Sequence, residues 1–131
     1  MAKKKLYVFA GKFNSLEEAC LYSEPQWEPE PDDSVSDGEY SIWEDRNPTH
    51  ELKENIDTYL DNDFIETVEC DFEYLLSYRI KTEDIGEIRI KAKEANFFVL
   101  VYEDALGGFP LDSEPKSNSV LTYCGSYVCV L

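Results

Sequence analysis

Negative charge is concentrated in one continuous stretch of this sequence, residues 17–73. That stretch holds 20 Asp and Glu residues and only two cations, Arg46 and Lys53, which gives it a formal charge of −18. Residues 1–16 carry +4 and residues 74–131 carry −2, so the whole chain has a net charge of −16. Self-repulsion of this size opposes a compact state unless the carboxylates lie on the surface. Such a surface attracts cationic partners.

Apolar and aromatic residues are frequent enough to build a core despite this charge. Of the 131 residues, 43% are hydrophobic and 14% are aromatic. Acidic chains that remain disordered are poor in aromatic residues. A chain of this length fits one domain and can bury a core without disulfide bonds. We therefore expect a single folded domain over residues 1–131.

The four cysteines are predicted to be buried free thiols and not a disulfide framework: Cys20, Cys70, Cys124 and Cys129. No signal-peptide core follows the basic start of the chain, and no apolar run approaches the roughly 18 residues of a spanning helix. These features predict a cytoplasmic protein. Cys124 and Cys129 would face opposite sides of a regular strand, so we expect that they cannot bind one ion together.

Hydrophobic patterns predict strands at both ends of the chain. Residues 6–10 are β-prone and end at Gly11. Residues 97–102 form a continuous apolar run, which is typical of a central strand covered on both sides. Residues 120–131 are predicted to be a strand pair or one long bent strand, with Gly125 as the turn or bulge.

Helix signals fill the middle of the chain. Ser15 with Glu18, and Ser36 with Glu39, have the spacing of a capping box, which predicts a helix after each serine. Between these two helices, residues 24–35 contain three prolines. Proline favours extended backbone, so this stretch is predicted to be a loop.

Two further helices are predicted from caps and apolar spacing. Asn47 and Pro48 are typical of a helix cap and first helical residue. The predicted buried positions of that helix are Leu52, Ile56, Tyr59 and Leu60. Thr82 is predicted to cap a later helix that carries Lys91 and Lys93 near its end. The predicted buried face of that helix is Ile85, Ile88, Ala92 and Ala95.

Residues 71–80 have helical apolar spacing and are predicted to be a helix. Residues 64–70 continue this spacing and are assigned to the same helix, although residues 64–68 alone also fit a strand. The resulting fold class is α+β. We expect a small, mostly antiparallel sheet formed by the N- and C-terminal strands, with four or five helices packed on one face.

The sequence lacks most signatures of catalysis and metal binding. The single histidine, His50, and the absence of a Cys-x-x-Cys pair disfavour a zinc site or a Cys–His nucleophile. A calcium-binding loop that begins at Asp61 would need glycine at its sixth position and glutamate at its twelfth. The chain has Glu66 and Phe72 there instead. We therefore expect no metal, no cofactor and no enzymatic activity. The negative charge also disfavours nucleic acids and membrane surfaces as partners.

An acidic segment that contains both tryptophans, residues 24–46, is the strongest candidate site. Tryptophan and tyrosine anchor many protein interfaces, and carboxylates around them steer a basic partner. The candidate partner-binding residues are Trp27, Glu28, Glu30, Asp32, Asp33, Asp37, Glu39, Trp43, Glu44 and Asp45. Tyr40 lies three residues before Trp43 on a predicted helix, which favours a core position for Trp43. Trp27 fits a core or an interface position equally.

Five short segments together resemble one protein family. They are 6–13 (LYVFAGKF), 24–32 (EPQWEPEPD), 43–48 (WEDRNP), 59–66 (YLDNDFIE) and 105–110 (ALGGFP). In this set the chain resembles bacterial polymorphic-toxin immunity proteins, and most closely the group catalogued as immunity protein 22. The likeness spans nearly the whole chain.

The resemblance implies a protein that binds and silences a cognate toxin domain, delivered by a neighbouring cell or made by the same cell. Such toxins are often nucleases with basic clefts, which an acidic inhibitor would cover. Two alternatives remain open. One is a general DNA mimic that inhibits many nucleic-acid-binding proteins, and the other is a small hydrolase that uses paired carboxylates.

Overall fold

The computed structural model describes residues 3–46, 51–58, 60–108, 111 and 113–130. Four antiparallel strands form one sheet in the order β2-β3-β1-β4. The strands are β1 (Lys3–Gly11), β2 (Ile65–Glu69), β3 (Phe97–Tyr102) and β4 (Leu121–Val130). Every residue of β3 is buried, as predicted for a central strand. The predicted α+β class with a sheet of N- and C-terminal strands is confirmed.

Four α-helices connect the strands: α1 (Leu16–Ser23), α2 (Asp37–Arg46), α3 (Phe72–Ser77) and α4 (Thr82–Lys91). Short 3-10 turns occupy Glu51–Glu54, Asn62–Phe64 and Glu103–Leu106. The Ser15 hydroxyl accepts the Glu18 amide at 3.1 Å, and the Ser36 hydroxyl accepts the Glu39 amide at 3.2 Å. The two serine caps predicted from the sequence are therefore confirmed.

Helices and turns cover both faces of the sheet, so the prediction of helices on one face is wrong. On one face, Leu75 of α3 and Ile88 of α4 pack over Val8 and Leu100. On the other, α1 and the 3-10 turns form a second cluster that includes Phe9. Successive side chains of β1 point to opposite faces of the sheet, and both sets are apolar. Such a strand is stable only where both faces of the sheet are covered, which explains the two clusters.

Residues 65–69 form strand β2, so the helix predicted for 64–70 is wrong. The strand pairs with β3, with Ile65 opposite Val101 and Glu69 opposite Phe97. The apolar spacing fits either structure, and pairing with a neighbouring strand decides between them. The helix predicted for 71–80 is shorter than expected, since α3 ends at Ser77.

The helix predicted to contain Leu52 and Leu60 is also wrong. A 3-10 turn, Glu51–Glu54, stands there, although Leu52 and Ile56 are buried as expected. The Asn55 carbonyl accepts the Lys116 amide at 2.8 Å, and this contact with a distant segment competes with helical hydrogen bonding. The predicted cap Asn47–Pro48, as well as His50 and Tyr59, lies outside the described residues.

The last predicted helix is confirmed as α4, with one difference at its start. Lys81 is its N-cap, and Thr82 is the first helical residue and not the cap. Three of its four predicted core positions are buried: Ile85, Ile88 and Ala92. Ala95 is partly buried against the same cluster.

One long strand, β4, bends at Gly125, which confirms the second of the two predicted arrangements. Phe9 pairs with Tyr123 and Val8 pairs with Gly125, so Cys124 is an extra residue at a bulge. The bulge shifts the alternation of side chains along β4. Cys124 and Cys129 therefore both lie in the cluster under α3 and α4, and the prediction that they face opposite sides is wrong.

We expect Gly125→Ala to destabilise the protein by more than about 1 kcal/mol. Gly125 has φ of 111°, and an added Cβ would lie 2.8 Å from the Tyr127 hydroxyl oxygen. Gly86→Ala is the matched control, because an added Cβ on α4 has no atom within 4 Å. That change should stabilise the protein by about 0.5–1 kcal/mol. Urea unfolding measures both, and equal effects would contradict the bulge at Gly125.

Candidate functional site

The acidic segment, residues 24–46, lies outside the core of the domain. None of its residues is buried, and α2 contributes no side chain to either apolar cluster. It holds nine carboxylates and one cation, Arg46. A helix with no buried side chain is not held by the hydrophobic effect that stabilises the other helices. Polar and aromatic contacts therefore contribute more to its conformation than burial does.

Three aromatic side chains of the acidic segment contact one another. The ring centroids of Trp27 and Trp43 are 5.9 Å apart, and those of Tyr40 and Trp43 are 5.5 Å apart. Both pairs are tilted, at 40° and 45°. We call Trp27, Tyr40 and Trp43 the aromatic cluster. Such contacts contribute about 0.5–1.5 kcal/mol each beyond the area they bury.

The aromatic cluster faces solvent. Trp27 is 60% exposed, and Tyr40 and Trp43 are partly exposed. The prediction of a core position for Trp43 is therefore wrong. Helical spacing correctly places Tyr40 and Trp43 on one side of α2, but that side packs on Trp27 of the preceding loop and not on the sheet. Aromatic rings kept in solvent are available to a partner.

Polar contacts hold the loop against α2. Arg46 Nη2 lies 2.5 Å from Glu28 Oε2, and the Trp43 indole donates to the Glu28 carbonyl at 3.3 Å. The Tyr40 hydroxyl donates to Glu30 Oε1 at 2.9 Å. This hydrogen bond raises the pKa of Tyr40, because ionisation would place two negative charges side by side. The contacts join residues 28 and 30 to the helix and fix the rings between them.

The remaining predicted site residues surround this framework and are exposed: Asp32, Asp33, Asp37, Glu39, Glu44 and Asp45. Asp32 shapes the loop, since its side chain accepts the Ser34 amide at 2.9 Å. Asp37 and Glu39 lie in the first turn of α2, where the helix dipole stabilises acids. Glu44 and Asp45 lie near the other end, where the dipole disfavours them.

The ten predicted residues therefore fall into two groups. Trp27, Glu28, Glu30 and Trp43 are brought into one contacting network through Tyr40, and Trp43 lies at its centre. The six other acids are distributed along the loop and helix and supply charge around the rings. Sequence reasoning missed two exposed apolar side chains, Ile42 of α2 (61% exposed) and Leu21 of α1 (54% exposed). No sequence pattern distinguishes them from core residues, because each stands among apolar or aromatic neighbours.

The cysteines do not form an alternative reactive site. All four are free thiols, and Cys124 and Cys129 are buried. Burial raises the pKa of Cys70 to about 12 and that of Cys124 to about 11. These thiols therefore stay protonated at neutral pH, and a protonated thiol is a poor nucleophile and a poor metal ligand.

The described residues contain neither a metal-binding cluster nor a membrane-spanning helix. In the part of the chain that the structure describes, no three His, Cys, Asp or Glu side chains converge in a way that could hold a metal ion. Among the same residues, no helix combines the length and the apolar character needed to cross a membrane. The acidic segment thus stands as the most organised surface feature that the sequence singled out.

Comparisons with known proteins identify no relative of this chain. No family model, no curated protein and no solved structure matches it. The resemblance to immunity proteins therefore stays a prediction from the residues quoted for it. Function has to be inferred from the geometry and charge of the acidic segment.

Removing a ring of the aromatic cluster should affect folding less than removing a core ring. We expect Trp43→Ala to lower the free energy of unfolding by about 1–2 kcal/mol, because the ring belongs to neither apolar cluster of the core and the change removes two aromatic contacts. Phe9→Ala, which removes a fully buried ring, should lower it by about 3–5 kcal/mol. Urea unfolding followed by circular dichroism compares the two. A loss for Trp43→Ala as large as that for Phe9→Ala would show that Trp43 supports the core.

Proposed function

We propose that this protein binds and neutralises a cationic protein, as an immunity protein does with its cognate toxin domain, through the acidic segment. The partner class is a toxin domain with a basic cleft, such as a nuclease. The protein itself performs no catalysis in this role and uses no cofactor. It acts in the cytoplasm, where it would meet a toxin that has entered the cell.

One observation carries the proposal: the chain holds an aromatic cluster in solvent within an acidic segment of its surface. Exposed tryptophan is unfavourable in an isolated protein, and here intrasegment contacts keep Trp27 and Trp43 near the surface. Tryptophan and tyrosine dominate the energetic centres of protein interfaces. The aromatic cluster therefore supports a role as the anchor of a binding surface.

The carboxylates around the cluster support a cationic partner. The acidic segment has nine acids and one cation, and that cation is paired with Glu28. All nine of these acids are exposed. Complementary charge of this kind accelerates encounter and rejects acidic partners, while the rings supply affinity once the surfaces meet. A basic nuclease cleft fits because it already attracts the phosphates of its substrate.

Reversing the charge of the acidic segment should slow association with the toxin domain. We expect Asp33→Lys with Asp45→Lys to lower the association rate constant by about tenfold or more at low salt, since steering contributes about 10–10³-fold. Neither side chain has a contact with the aromatic cluster, so its geometry is preserved. Stopped-flow mixing with the cognate toxin domain, at low and high salt, measures the rate.

The matched control is Glu87→Lys with Glu94→Lys, which changes the net charge equally at α4 and just beyond it. This control should alter the rate far less. Equal slowing by the two pairs would show that the acidic segment is not part of the interface. A wild-type association rate that does not depend on salt would show that electrostatic steering does not contribute. Comparable inhibition of unrelated DNA-binding proteins would favour the DNA-mimic alternative over a matched toxin surface.

A further inference from the structure

The two edge strands of the sheet differ in how they are protected against pairing with another strand. Strand β2 has five residues and includes Glu66 and Glu69. Strand β4 has ten residues, LTYCGSYVCV, with no charge and no proline. Charged side chains and short length normally prevent edge strands from pairing with other chains. Strand β2 has both forms of protection and β4 has neither.

The first part of the β4 edge is covered by the chain that precedes it. Asn118 accepts the Leu121 amide through its side chain at 2.8 Å, and its own amide donates to the Leu121 carbonyl at 2.9 Å. The Tyr123 amide donates to the Ser117 hydroxyl at 2.8 Å. Backbone groups that point away from β1 at Leu121 and Tyr123 therefore have partners. This part of the edge is closed.

The pairing register shows which groups point outward beyond the bulge. The Tyr123 amide points away from its partner Phe9, because it donates to Ser117. Tyr7 and Lys5 lie two and four residues before Phe9 on β1. Because the direction of backbone groups alternates along a strand, the pairs Tyr7–Ser126 and Lys5–Val128 have the same geometry as the pair Phe9–Tyr123. The Lys5 amide is consistent with this geometry, because it points away from β4 and donates to Glu103 at 3.2 Å on the β3 side of the strand. The amides and carbonyls of Ser126 and Val128 therefore point to the open edge.

No covering segment protects these outward groups among the described residues. Ser126 and Val128 are exposed, and Val128 has 57% of its surface in solvent. Within residues 3–46, 51–58, 60–108, 111 and 113–130, neither residue has a counterpart of the contacts that Ser117 and Asn118 make. The carbonyl of Cys124, at the bulge, accepts from Tyr127 and from Lys91 and is closed. The open template is therefore short, and Ser126 and Val128 define it.

The distribution of charge favours a second copy of this chain as the occupant. Two copies with a net charge of −16 each repel one another at most orientations. Strand β4 carries no charge, lies at the opposite edge from acidic β2, and pairs with β1, which carries Lys4 and Lys5. Approach through β4 thus meets less repulsion than approach through β2. Antiparallel pairing of identical strands also satisfies a two-fold axis.

We propose that two copies of this protein associate through their β4 edges, with Ser126 of one copy paired with Val128 of the other. Each such pair exchanges two backbone hydrogen bonds, so the two-fold axis gives about four in total. The axis passes beside Tyr127, and the two sheets join into one continuous sheet. Because the contact is short, the dimer is weak and forms in a concentration-dependent manner. This inference does not depend on the proposed function.

Sedimentation equilibrium of the full chain, from micromolar to millimolar concentration, tests the dimer. The wild type should show a monomer–dimer equilibrium that added salt strengthens, because salt screens repulsion between the acidic copies. Val128→Lys and Val128→Pro should each raise the dissociation constant by about tenfold or more, by adding charge or removing an outward amide. The matched control is Ile90→Lys, at a 78% exposed position of α4. It should leave the dimer unchanged.

Three results would overturn the proposal. The first is a wild type that remains monomeric over the whole concentration range. The second is a dimer that folded Val128→Lys retains with unchanged affinity, as judged by circular dichroism. The third is an association that salt weakens, since this would indicate acidic segments bound to lysines of a second copy and not edge pairing.

Discussion

Electrostatic self-repulsion is the constraint on which the rest of this structure depends. A net charge of −16 on 131 residues requires that carboxylates remain in water, and the core must come from stretches without them. The inner strand β3 meets this requirement with six buried residues and no charge. Strand β1 confines its three lysines to its first three residues. Strands without acidic residues at the chain ends thereby support an acidic middle region.

The acidic segment shows what this separation makes possible. The sheet, three helices and two of the 3-10 turns supply the core, and α2 contributes nothing to it. Three aromatic rings, an Arg46–Glu28 ion pair and the hydrogen bond from Tyr40 to Glu30 contribute to its order instead. Acids near the C-terminal end of α2 oppose the helix dipole. This arrangement adds little to the stability of the domain, and it fits a segment whose charge and aromatic rings serve to bind a partner.

Features that depend on one element could be predicted from the sequence, whereas features that depend on a partner element could not. The Ser15 cap, strand β3 and the bend at Gly125 follow from local residue chemistry. Strand β2 and the position of Trp43 do not, because each pattern has two acceptable partners and only the folded chain selects one. The acids of the candidate site were identifiable by composition, but the contacts that join Glu28 and Glu30 to α2 were not.

Fluorescence quenching tests the central claim most directly, since both tryptophans of the chain lie in the acidic segment. Neutral acrylamide should quench them readily because the rings reach solvent. At low ionic strength, caesium should quench more strongly than iodide relative to their efficiencies on free tryptophan, because carboxylates attract the cation and repel the anion. Added sodium chloride should reduce this difference. Tryptophans shielded from acrylamide, or equally open to both ions, would contradict an exposed aromatic cluster within an acidic surface.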